Sequence, residues 1–232
     1  MTQKKQKAVL FDIGSTLVNG PELSPAKAIW KILQNPDIDS AQISRILMRE
    51  DFDGPAKACH RLRMSGYVLN SYHEEQITAL WQRQQSEARQ IDGATEAVMA
   101  LKAMGYKIGL ISDIWAPYYL SFERACPEIA ALTDSFILSF REGIKKPSPA
   151  LFHRALAAIN TRATDTVMVG DTYSNDIEPA IALGLRTVWV LFRPDRELEA
   201  LVQVINGKKP KPDFTISHIQ QLTDLPIWEE GA

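Results

Sequence analysis

Asp12 directly follows an apolar run, Ala8-Val9-Leu10-Phe11, and opens the hexapeptide Asp12-Ile13-Gly14-Ser15-Thr16-Leu17. The run reads as a buried strand, and open α/β sheets bind their ligands at the carboxyl ends of such strands. A carboxylate delivered there can serve as a nucleophile or as a ligand for a hard cation. Ser112 ends a second apolar run, Lys107-Ile108-Gly109-Leu110-Ile111-Ser112, and offers a hydroxyl. Lys146, in Gly143-Ile144-Lys145-Lys146-Pro147, offers an ammonium just ahead of a helix start. Asp171 and Asp176 fall in Val169-Gly170-Asp171-Thr172-Tyr173-Ser174-Asn175-Asp176, a strand-to-helix turn rich in the hard oxygen ligands that Mg²⁺ prefers. Taken singly, each has an ordinary explanation: a turn cap, a helix N-cap, a solvated lysine, acidic helix capping. Taken in order, each at a strand end or helix start, they combine a carboxylate nucleophile with a metal site and a balancing cation.

The elements that must position these residues follow from the apolar pattern. Strand-like runs span 7–12, 106–112, 135–139, 166–170, 186–191 and 213–216. They are rich in Val, Ile and Leu and mostly continuous, as in parallel strands covered on both faces. Helical patterns alternate with them. One covers 94–104, with Ala97, Val98, Leu101 and Met104 as its apolar stripe and Gly105 as its stop. Another starts at Ser148-Pro149, a third spans 176–183 and stops at Gly184, and a fourth spans 196–205 and stops at Gly207. This alternation predicts an α/β fold with a doubly wound, Rossmann-like parallel sheet.

The stretch 21–91 shows no convincing strand. Helix starts stand at Ser24-Pro25 and Asp39-Ser40, and a capping box is expected at Ser71 with Glu74. The last helix of the stretch is expected over 72–90, with Ile77, Leu80 and Trp81 as its apolar contacts. The expected organisation is a core of residues 1–20 and 92–232 interrupted by a helical lobe at 21–91. Gly207 to Pro212 reads as a polar loop before the last strand.

Composition narrows the function classes. A chain of 232 residues buries a sizeable core, and 45% hydrophobic with 23% charged residues is ordinary for a globular protein. A formal charge of −2 gives no reason to expect nucleic acid. Lys4, Lys5 and Lys7 read as a solvated basic start. No apolar run suggests a signal segment or a membrane span. Cys59 and Cys126 lie far apart without metal-type spacing and read as free thiols of a reducing compartment, so the expected location is the cytoplasm. Oligomeric state is not legible.

The ordered set Asp12, Ser112, Lys146 and Asp171/Asp176 resembles the four motifs of the haloacid dehalogenase (HAD) superfamily, over about two thirds of the chain. The lobe at 21–91 sits where that superfamily carries its type-1 cap. The resemblance implies a Mg²⁺-dependent phosphatase acting on a small phosphorylated metabolite through an aspartyl-phosphate. Asp12 is then the nucleophile, Ser112, Lys146 and Thr16 contact or frame the phosphate, and Asp12, Asp171, Asp176 and the carbonyl of Gly14 hold the metal.

Gly14 is the departure from the family's Asp-x-Asp-x-Thr pattern, because the second aspartate there supplies general acid/base help. Such help is worth roughly 10²–10⁴-fold, about 3–5 kcal/mol of barrier. Its loss favours substrates whose leaving group departs easily, unless another residue, such as His60 or His73 in the lobe, takes the role. The same gap opens two alternatives, a phosphonate hydrolase using a lobe lysine (Lys27, Lys31 or Lys57) and a non-catalytic binder of phosphorylated metabolites. Arg49, Asp51, Asp53, Arg61 and Arg63 of the lobe, and Trp115, Tyr118 and Tyr119 after Ser112, are left without assigned roles.

Overall fold

The computed structural model describes residues 7–35, 37 and 39–228, so Lys4 and Lys5 lie outside the described residues. Strand β1 (Ala8–Phe11) runs into the Asp12 loop and then the short strand β2 (Val18–Asn19). Helices α1 (Pro25–Leu33), α2 (Ser40–Leu47), α3 (Pro55–Met64) and α4 (Ser71–Gln84) follow. Strand β3 (Arg89–Gln90) then returns antiparallel to β2, setting Val18 opposite Gln90 and Asn19 opposite Arg89. The rest of the chain alternates: α5 (Ala94–Ala103), β4 (Lys107–Ser112), α6 (Ala116–Ala125), α7 (Pro127–Leu132), β5 (Ser135–Leu138), α8 (Ser139–Glu142) and α9 (Pro149–Ile159). It ends with β6 (Thr166–Gly170), α10 (Glu178–Ala182), β7 (Arg186–Val190), α11 (Leu198–Ile205) and β8 (Phe214–Ile216).

The main sheet has the order β5-β4-β1-β6-β7-β8, and every pair in it is parallel. By chain order of its own strands this is 3-2-1-4-5-6, the doubly wound Rossmann-like arrangement expected from the sequence. Successive residues of a strand point to opposite faces, and β1 divides accordingly. Val9 and Phe11 join a cluster with Val98 and Leu101 of α5, while Ala8 and Leu10 join one with Leu151, Phe152 and Ala155 of α9. Helices therefore cover both faces, and β1 is buried throughout. The chain leaves β1 for β4 on one side and later returns to β6 on the other, so the crevice of this topology opens above the ends of β1, β4 and β6.

Three local expectations are corrected. The capping box of α4 uses Asn70 and His73 rather than Ser71 and Glu74. Extended Asn70 accepts from the His73 amide at 2.9 Å, and Glu74 is instead paired with Arg63. Helix α4 also stops at Gln84 rather than Gln90. The Ser121 hydroxyl accepts from the Ala88 amide at 2.8 Å and draws the segment into an extended path, which becomes β3 within a stretch expected to lack strands. Finally, the helix expected at 176–183 begins with a π-helical turn, Tyr173–Ile177, and becomes regular only in α10. Asp176 is turned inward there and accepts from the Thr172 amide at 3.0 Å.

That turn depends on Gly170. A Cβ at this position would fall 2.6 Å from both Cβ and Cγ of Asp176. Because the obstructing atoms sit next to the turn's backbone, a side chain at 170 must push the whole turn away. Gly170→Ala is expected to lower the unfolding free energy by about 1–3 kcal/mol, the usual cost of overpacking. Urea denaturation reads it; an unchanged midpoint would mean that the turn yields freely.

Candidate active site

Asp12 leaves β1 with its amide still in the sheet, donating to the Val169 carbonyl at 3.0 Å. Its Oδ1 accepts from the Ser112 hydroxyl at 3.0 Å and from the Lys146 ammonium at 2.6 Å. Among the described residues Oδ2 has no hydrogen bond. Lys146, on the α8–α9 connection, reaches inward until its side chain is only 3% exposed. Its Nζ also donates to Asp176 Oδ1 at 2.5 Å and to the Ile111 carbonyl at 3.2 Å. Asp171 follows β6; its Oδ2 accepts from Arg193 at 2.6 Å, and its carbonyl accepts from the Trp189 indole at 3.0 Å.

Oxygens of Asp12, Asp171 and Asp176 lie within 4.8 Å of one another, and all three residues are buried. Burial pushes Asp171 up to about 6 and Asp176 up to about 8, and the neighbouring carboxylates add to the effect. Burial alone would lower Lys146. The carboxylates of Asp12, Asp176 and Asp113 outweigh it and hold the ammonium above the ordinary lysine range. Three crowded carboxyl groups thus face the cations of Lys146 and Arg193, and a further cation would offset the charge left when Asp171 and Asp176 ionise. An all-oxygen set of this kind suits a hard divalent cation.

Above these groups lies a cleft of about 240 Å³. Gly14 and Ser112 line it, as do Met48 of α2's end and Trp115 and Tyr118 at the start of α6. A Cβ on Gly14 would meet nothing within 4 Å, so the space where a second aspartate would stand is open. Thr16 is placed differently. It is fully buried, its hydroxyl has no hydrogen-bond partner among the described residues, and it does not line the cleft.

Of the lobe residues considered from sequence, His73 is used in the cap of α4 and His60 is exposed; neither lines the cleft. The same holds for Lys27, Lys31 and Lys57, with Lys57 paired to Asp53 at 2.5 Å. Arg61 pairs with Glu50 at 2.6 Å on the lobe surface. Tyr118 donates its hydroxyl to the Asn19 carbonyl, tying α6 to the β2–β3 ribbon. Tyr119 packs among Phe122, Phe136 and Phe140.

Sequence reasoning missed Arg193 and Asp113. Asp113 lines the cleft and accepts from the Lys146 amide at 2.9 Å, which fixes the lysine's backbone; burial pushes its carboxyl up, against the pull of Lys146 and Lys145. The signal available for Arg193 was its place at the carboxyl end of a strand, the rule that picked out Asp12 and Ser112.

Known proteins resemble this chain along most of its length. Glyceraldehyde 3-phosphate phosphatase of Pyrococcus furiosus is 26% identical over 99% of this chain and 96% of its own length. Pyrophosphatase PpaX of Listeria monocytogenes is 27% identical over 97% of this chain and 99% of its own. Among solved structures, the HAD-hydrolase YfnB of Bacillus subtilis, bound to magnesium, superposes with a TM-score of 0.59 at 18% identity, covering 95% of this chain and 98% of that one. The sequence model of the haloacid dehalogenase-like hydrolases matches residues 6–184, and the chain belongs to that family.

Proposed function

We propose that the protein is a Mg²⁺-dependent phosphatase of a small phosphorylated metabolite, working through a phosphoryl group carried on Asp12. The observation that carries this reading is the one-sided engagement of Asp12. Ser112 and Lys146 both bond to Oδ1, which orients the carboxylate and leaves Oδ2 as the attacking oxygen. Relatives whose names describe phosphatases of small compounds support the substrate class.

In this reading Oδ2 of Asp12 attacks phosphorus, the ester P–O bond breaks, and water then attacks phosphorus to release inorganic phosphate. The Lys146 ammonium offsets the repulsion between carboxylate and phosphate, and the Ser112 hydroxyl orients a transferring oxygen. Asp12, Asp171, Asp176 and the carbonyl of Gly14 would hold Mg²⁺, which when bound supplies positive charge at the phosphoryl oxygens. Residues 21–91 act as a cap on a core of 1–20 and 92–232, with the β2–β3 ribbon as the connection. No helix among the described residues is long and apolar enough to cross a membrane, and buried free Cys59 and Cys126 suit the cytoplasm. Gly14 favours a second reading, a binder that retains the site without turnover.

Three outcomes test the reading. Asp12→Asn should cut Mg²⁺-dependent release of p-nitrophenol from its phosphate by at least about 10³-fold, since the nucleophile itself is removed. No turnover by the wild type on a broad phosphate panel would leave the binder. Adding Mg²⁺ should raise the melting temperature of the wild type, by about 2.7 kcal/mol of stability at a hundredfold excess over Kd, and much less in Asp171→Asn. Gly14→Asp fits the open space at position 14 and should raise kcat on alkyl phosphates more than on p-nitrophenyl phosphate. Equal gains on both would count against the missing proton donor as the limit.

A further inference from the structure

The loop after β7 places Arg193 on the cleft wall with Gly14, Gly20 and Ser112, and Arg196 lines the same cleft. A 3₁₀ turn over Pro194–Arg196 joins them, with the Arg196 amide bonded to the Arg193 carbonyl at 3.1 Å. Both arginines thus reach the same cleft from one short loop.

A guanidinium carries five N–H donors. Arg193 gives one bond to Asp171, while its Nε is buried without a partner. Arg196 is exposed, and its side chain pairs with no group among the described residues. Asp113, the acid on the same lining, is already held by the Lys146 amide at 2.9 Å and lies 3.9 Å from the Lys145 ammonium, so it does not neutralise the arginines. A single phosphoryl group on Asp12 is already served by Lys146 and Ser112. Beyond the one bond by which Arg193 balances Asp171, the donors of the two guanidinium groups are not used by the chemistry, and such planar donor groups match carboxylate or phosphate oxygens.

We propose that Arg193, assisted by Arg196, forms a second anion subsite, and that the substrate class is a small phosphate monoester bearing another anionic oxygen group. That group, a carboxylate or a second phosphate, stands a short carbon chain from the reacting phosphorus, because Arg193 touches the carboxylate that neighbours Asp12. The inference rests on the phosphatase reading for which phosphate is attacked, and it names what else the substrate must carry.

Calorimetric titration with non-hydrolysable probes tests it, using propylphosphonate, its carboxylate-terminated counterpart and propane bisphosphonate with Mg²⁺ present. Kinetics with the three matching phosphate esters run in parallel. The wild type should bind at least one doubly anionic probe about tenfold or more tighter than propylphosphonate, as expected for charged hydrogen bonds. The carboxylate and bisphosphonate arms show which group is taken. Arg193→Gln should erase the margin and raise KM for the matching ester more than it lowers kcat; Arg196→Gln should reduce the margin. Equal binding of all three probes by the wild type overturns the subsite. So does a margin that survives Arg193→Gln, or, should that variant not fold, one that Arg196→Gln leaves untouched. A margin without turnover of any ester sinks the phosphatase reading alone, and turnover without a margin sinks the subsite alone.

Discussion

The structure turns on one buried ammonium. Lys146 is held between Asp12, at the end of β1, and Asp176, in the π turn that follows β6, while it arrives from the α8–α9 connection. A charge taken out of water this completely is tolerable only with close partners. Removing one partner from a buried pair typically costs about 3–5 kcal/mol, because the other is left uncompensated. The requirement constrains several elements together. Asp113 must fix the lysine's amide, Ile111 must offer its carbonyl to the ammonium, and Gly170 must lack a side chain so that the π turn can bring Asp176 within reach.

The neighbouring residue carries that constraint outward. Lys145 points away from the site and donates to the Ser44 hydroxyl of α2 at 3.0 Å, so consecutive lysines grip the acidic cluster and the helical insertion. Two further contacts join the insertion, and the ribbon that leads to it, to the same region. The Trp115 indole donates to buried Gln84 of α4 at 2.6 Å, and Tyr118 holds the ribbon at Asn19. Trp81 packs edge-on against Trp115 with ring centroids 5.2 Å apart. These contacts fall on the loop beyond Ser112 and the loop bearing Lys146, both of which approach Asp12.

The sheet was legible because burial on both faces writes itself as continuous apolar runs. Strand β6 matches its expected span, and the main-sheet strands that deviate do so only at their ends. Asp12, Ser112, Lys146, Asp171 and Asp176 were legible because each sits where a strand ends or a helix begins, and the structure does bring them together. What escaped depends on tertiary partners. Two-residue strands such as β2 and β3 carry no periodicity, and their pairing is visible only once Ser121 draws in Ala88. Asn70 and Ser71 are both good caps, and only the backbone decides between them. Arg193 and Asp113 read as ordinary loop charges until the fold shows which groups they meet.

The open space at Gly14 then acquires a definite meaning. In the proposed reading the metal ligand at this position is a backbone carbonyl, which the absence of a side chain does not remove, so the loss falls on proton transfer. Position 14 supplies no acid in that reading, and the site draws its rate from electrostatics fixed in advance, which stabilise charge on the phosphoryl oxygens and do nothing for a poor leaving group. Lys146, buried and charged, is suited to the first task; its ammonium is held above the ordinary lysine range and is a weak proton donor for the second. Binding energy gathered away from the reacting atoms becomes correspondingly more valuable, because it can position an ester that the chemistry itself assists only in part. In that reading, cationic side chains on the cleft wall are the source of that energy.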